Sequence, residues 1–102
     1  MEEKFKVEFN PRGQKFTVKL GDKEALLAYT EINDVWDIHT VLIPEDYRGQ
    51  GIAELLTLYV FNFAKERNIK IFPNCPYVKN KFLKDHPELT DILEDWFMEE
   101  ED

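Results

Sequence analysis

Arg48-Gly49-Gln50-Gly51 stands between an apolar run and the first turn of an amphipathic segment. A strand, a glycine loop and a helix start leave backbone N–H groups unpaired, where the helix dipole also favours negative charge. Glycine carries no Cβ, so a ligand can come close to the main chain, and a phosphate-bearing ligand is the natural occupant. The bland alternative is that Gly49 and Gly51 only let a tight turn form. His39, nine residues upstream of Arg48, brings an imidazole. Ionising near neutrality, such a ring suits a general base that takes a proton from an ammonium group. Strand alternation puts it on a face with Asp37, Val41 and Ile43, opposite Trp36, Ile38 and Leu42, and Asp37 could orient it. The alternative is a core histidine bonded to a carbonyl. Cys75 is the one cysteine; period-two counting from Ile71 through Pro73 places it on their apolar side, and Pro76 pushes it towards an extended backbone. By itself it reads as a small buried hydrophobe. His86, just ahead of Pro87, reads as structural. His39, Cys75 and His86 have no zinc-ligand spacing, so no metal is expected.

The 102 residues suffice for one small domain with a core. A single cysteine allows no internal disulfide, no apolar run approaches the roughly 20 residues of a membrane span, and Met1-Glu2-Glu3-Lys4 leads no secretory signal. A soluble, cytoplasmic protein is the expectation, monomeric or weakly dimeric. The net charge of −8 is unevenly placed, because all of the excess follows Pro87, where eight acids meet no base. Such an end repels nucleic acid and could attract a cationic partner; the plainer reading is a solubilising terminus. Neither nucleic acid nor membrane is an expected partner.

The elements that would position these groups follow from periodicity. Residues 4–9 alternate, with Phe5, Val7 and Phe9 on one face, and Asn10-Pro11-Arg12-Gly13 fits a type I turn. Lys15–Leu20, Glu24–Ile32 and Val35–Ile43 continue as strands across short turns, giving an antiparallel meander of four. Gln50–Arg67 has the helical period, with Ile52, Leu55, Leu56, Tyr59, Val60, Phe63 and Ala64 as its apolar stripe and Thr57 on the polar face. Asn68 closes the helix. Ile69–Phe72 is a buried strand, expected to run parallel to Val35–Ile43. Val78–Lys84 and Leu89–Phe97 look like short helices. The fold class is therefore α+β, a mixed five-stranded sheet with helices packed on it, in one domain over 1–98 with an acidic tail at 99–102.

Arg48-Gly49-Gln50-Gly51-Ile52-Ala53 resembles the Arg/Gln-x-x-Gly-x-Gly/Ala signature of the GNAT superfamily of acetyl-CoA-dependent N-acetyltransferases. With His39-Thr40 before it, and Pro73-Asn74-Cys75-Pro76-Tyr77 and His86-Pro87-Glu88 after it, the chain looks like a compact single-domain branch of that superfamily. The resemblance spans roughly the second half of the chain and implies a GNAT-like fold that binds acetyl-CoA. In that family the parallel strand pair splays apart and holds the pantetheine arm. Carried over, Leu42 and Ile43 would offer main-chain contacts to pantetheine. Gly49, Gln50, Gly51, Ile52 and Ala53 would hold the pyrophosphate, with charge from Arg48. Lys79 and Asn80, with Lys81, could meet the adenosine or its 3′-phosphate. Cys75 would lie near the thioester, where it could take the acetyl group before an amine does, or stand aside while the amine attacks directly. Tyr77 would be the general acid for the departing CoA thiolate, or else a packing residue.

Typical members insert two helices between the first two strands, which help bind the acceptor; here Asn10-Pro11-Arg12-Gly13 takes their place. The acceptor side should then be open, which suits a bulky primary amine, such as one on a protein, or an unselective site. Glu31, Asp34 and Asp37 could attract its positive charge. The leading expectation is acetyl transfer to a primary amine. The competing readings are a CoA-binding or protein-interaction module with little or no catalysis, and an acidic adaptor whose loop binds nothing.

Overall fold

The structure is a computed structural model and describes residues 5–93. Five strands form one sheet in the order β1 (Val7–Asn10), β2 (Lys15–Leu20), β3 (Lys23–Ile32), β4 (Val35–Leu42) and β5 (Lys70–Pro73). The first four pair antiparallel and β4 pairs parallel with β5, from Val35↔Lys70 to Ile38↔Pro73. The α+β mixed sheet of five strands expected from periodicity is therefore what forms. Helix α1 (Ile52–Glu66) crosses between the parallel strands. A π-helical turn (Tyr77–Phe82), an α-turn (Leu83–Asp85) and a 3-10 turn (Pro87–Ile92) complete the described chain.

Turn chemistry sets the meander. Asn33 and Asp34 both take positive φ, 51° and 67°, as a two-residue type I′ hairpin between Ile32 and Val35 demands; Asn and Asp tolerate that conformation. The first turn closes one residue later than Asn10–Gly13 would. Gln14 N donates to Pro11 O, while the Asn10 side chain accepts from Gly13 N at 2.9 Å. Helix α1 ends in a Schellman arrangement with Asn68 at φ 59°: Ile69 N donates to Ala64 O and Asn68 N to Lys65 O.

One irregularity reorders a face. Ala28 pairs with Thr40 but Tyr29 with Ile38, so His39 is an extra, bulged residue on β4. The bulge reverses the alternation beyond it. Trp36 and Ile38 are buried, and after the bulge Val41 and Ile43 pack on the core while Leu42 is 52% exposed. The expected grouping of Leu42 with Trp36 and Ile38 is thus corrected, because strict alternation assumes an unbroken ladder.

The core lies between the sheet and α1. Phe16 stacks on Phe9 with centroids 4.4 Å apart and meets Phe63 edge-on at 5.3 Å, and Trp36 stacks on Tyr29 at 4.0 Å. A second contact explains a departure from the expected helix stripe. Phe61 meets Phe82 at 5.0 Å, so the C-terminal turns cover another side of α1. Phe61 and Thr57 are accordingly fully buried, whereas Leu55 and Tyr59 are partly exposed. The Thr57 hydroxyl, assigned by periodicity to the polar face, donates to Ala53 O at 2.7 Å and so enters the core satisfied.

The C-terminal pattern also differs. The segment expected as a helix from Leu89 is a 3-10 turn ending at Ile92, and Leu93 is extended beside Ile71. Leu89, Ile92 and Leu93 all reach the core, and Leu93 does so as an extended residue bridged to Ile71. The rest of that expected helix, the start of the first strand at Lys4, and the domain end with its acidic tail lie outside the described residues.

Candidate active site

The strand-to-helix connection builds a cavity of about 240 Å³ at the carboxyl end of β4. Pro44 starts a 3-10 turn (Glu45–Tyr47), after which Arg48 is extended and Gly49 and Gly51 both take left-handed φ, 84° and 81°. Those angles favour glycine whether or not a ligand binds, so the tight-turn reading accounts for the residue type. A Cβ built at either position meets nothing within 4 Å, so the space beside both is also open. Gly51 caps α1 without any side-chain hydrogen bond, and the first helical bond runs from Leu55 N to Gly51 O. The N–H groups of the first turn have no helical partner, and Gly51, Ile52, Ala53 and Glu54 line the cavity. The donor set suits a diphosphate.

Ile43, Tyr47, Arg48 and Gly49 line one side of this cavity, and Tyr77, Lys81, Phe82, Asp85 and His86 form the opposite wall. The structure thus brings together Ile43, Arg48, Gly49, Gly51, Ile52, Ala53 and Tyr77 from the expected set. Gln50, Leu42, Lys79 and Asn80 do not line it; Lys81, exposed on the π-helical turn, does so at its rim. Arg48 folds back, its Nε donating to Ile43 O at 3.1 Å.

His86, taken from sequence as structural, turns out to line the cavity. Its Nε2 lies 2.7 Å from Glu54 Oε2, its Nδ1 3.5 Å from Glu88 Oε2, and its ring stacks on Phe82 at 4.6 Å. The Glu54 hydrogen bond raises its pKa above the ordinary imidazole value against partial burial, and Glu88 adds to the rise. Lys81 Nζ meets Asp85 Oδ2 at 3.0 Å. That i, i+4 pair is readable in sequence, whereas no local signal links Glu54 to a histidine 32 residues away. Burial, then the carboxylates of Glu54 and Asp85, push the Tyr77 hydroxyl up to about 12.

Beyond Ile38↔Pro73 the parallel pair ends, and β4 runs on to Leu42 with no β5 residue opposite. At the parting point both Asn74 N and Cys75 N donate to Ile38 O, at 3.0 and 2.8 Å. Cys75 is thereby held against β4 one residue from His39, with its side chain 6% exposed in the core. His39 is exposed, and its Nδ1 meets Thr40 Oγ1 at 2.8 Å. The expected Asp37 partner is not its contact; among the described residues, the buried Asp37 Oδ1 has no hydrogen-bond partner.

A sequence profile described as GCN5-related N-acetyl-transferase matches residues 15–92. Protein NATD1 from Bos taurus and its counterpart from Homo sapiens are each 32% identical over 85 residues, covering 80% of this chain and 74% of theirs. Protein NATD1 from Danio rerio is 30% identical over 87 residues, covering 82% and 78%. The NMR solution structure of a GCN5-like protein from Staphylococcus aureus superposes with a TM-score of 0.69 at 22% identity, covering 87% of both chains. The strand order, the parting parallel pair and the uncapped helix start agree with that likeness of fold. The chain belongs to the GCN5-related N-acetyltransferase family.

Proposed function

We propose that the chain transfers an acetyl group from acetyl-CoA to a primary amine. The observation that carries this reading is the uncapped N-terminus of α1, opening with Arg48 and Lys81 into one cavity at the end of β4. In this reading the N–H groups from Gly49 to Ala53 hold the diphosphate, and the free edge of β4 at Leu42 and Ile43 pairs with the pantetheine arm. Ile43 O already accepts from Arg48 Nε and keeps a second lone pair for the ligand. Lys79 and Asn80, exposed on the next turn, meet the adenosine end. Acetyl-CoA supplies the thioester.

His39, exposed on its bulge, takes the proton of the acceptor ammonium. Tyr77 stays protonated at neutral pH and donates a hydrogen bond to the leaving sulfur. Outright proton transfer would run uphill, since a thiol ionises near 8.5 and Tyr77 only at about 12. Cys75 stands beside the thioester. Its burial favours direct attack by the amine over an acetyl-Cys75 intermediate, which needs an accessible thiolate.

Thermal unfolding with and without acetyl-CoA tests the reading. At a hundred times its dissociation constant a ligand adds about 2.7 kcal/mol, so the melting temperature should rise by roughly ten degrees in a domain this small. No shift with acetyl-CoA or CoA would remove the proposal. A shift without transfer to any amine would leave a CoA-binding module, a reading favoured by the missing contact between Asp37 and His39.

A further inference from the structure

The cavity proposed to take a diphosphate carries two carboxylates in its wall, Glu54 and Asp85. Left unpaired, both would repel the ligand. Each is met by a group from the C-terminal turns, Asp85 by Lys81 at 3.0 Å and Glu54 by His86 at 2.7 Å. Among the charged side chains lining the cavity, Arg48 and Lys81 balance Glu54 and Asp85. The His86 proton therefore decides whether the wall is neutral or carries one positive charge.

His86 is also well placed to hold a defined position. Phe82 stacks on one side of its ring, and only 18% of its side chain is exposed. The charged groups facing it are Glu54 from α1 and Glu88 from the 3-10 turn, with Asp85 and Lys81 on the turns before it. Tyr77, the remaining titratable group on this wall, keeps its proton across the neutral range.

We propose that His86 is a positioning residue whose protonation sets how tightly the cavity holds a diphosphate, by neutralising Glu54 and fastening it to the C-terminal turns. The inference rests on the acetyl-CoA reading and assigns that site a pH-dependent control. The Glu54 hydrogen bond favours the charged ring, so the control operates above the pH at which a free imidazole loses its proton. Affinity is highest with His86 charged and falls as pH rises through its pKa. By reciprocity the bound anion raises that pKa further.

The probe is 3′-dephospho-coenzyme A, because its diphosphate keeps a constant charge across the neutral range. Calorimetric titrations from about pH 6 to about pH 8.5 bracket the imidazole transition. The parent should lose roughly threefold to tenfold in affinity across that range, as one unit charge near the ligand implies. His86→Gln should bind with little pH dependence. Glu54→Gln, which tests the same charge without removing the ring, should bind more tightly than the parent at the alkaline end. In NMR titrations the His86 ring should shift to a higher pKa with the probe bound. His39 is present in every protein and drops out of the comparison. An unchanged pH dependence in His86→Gln, or no tightening in Glu54→Gln, would overturn the inference while leaving the cofactor reading intact. Failure of the parent to bind the probe at any pH would overturn the cofactor reading and this inference with it.

Discussion

Cys75 and His86 carry the two residue-scale outcomes. Cys75→Ala removes the thiol without burying a hydroxyl. With direct attack it should keep acetyl transfer within about tenfold of the parent rate. Loss of all turnover, together with an acetyl adduct on parent Cys75 by mass spectrometry, would favour the covalent route instead. His86 acts on stability as well as on binding. Its folded-state pKa lies above the value of about 6.5 in the unfolded chain, so its contribution is complete below that pH. The contribution is lost as pH rises through the raised value. The melting temperature should therefore decline across that window in the parent and stay flatter in His86→Gln.

At the scale of elements, α1 is held from two sides, and each has its own test. Phe61 is fully buried against Phe82, so Phe61→Ala should cost about 3–5 kcal/mol in denaturant unfolding. That is a large part of what a domain of this size has, and detachment of the C-terminal turns should weaken ligand binding too. Gly51 sits at φ 81° with open space around its missing Cβ. Gly51→Ala should thus lose about 1–2 kcal/mol through backbone strain alone, with no steric clash. A larger loss in CoA affinity than in stability would mark the open space as ligand space.

Among the described residues a four-residue turn joins β1 to β2 with no helix between them, so in the acetyl-transfer reading the acceptor side is open. Few groups can enclose a small metabolite there. Peptides with a free lysine or N-terminal amine should be acetylated at least as fast as free small amines, as measured by thiol release over an acceptor panel. Tight, selective turnover of one small amine would contradict this. Among the described residues no helix is long and apolar enough to cross a membrane.

Local physics made much of this protein readable from its chain. Alternation at Phe16, Val18 and Leu20, turn residues at Asn33-Asp34 and the helical period from Ile52 all depend on neighbours close in sequence, and they gave the meander, α1 and the glycine connection. Tertiary contacts decided the rest. A bulge at His39 comes from how β3 and β4 pair, and it turns Leu42 outward. Phe61 and Thr57 are buried because the C-terminal turns pack on a second side of α1, which one helical period cannot reveal. Glu54 and His86 meet only after the chain folds, since a charge pair between residues so far apart leaves no periodic trace. Sequence alone determined where the glycine turn ahead of α1 would form; the folded chain decided which charges surround it.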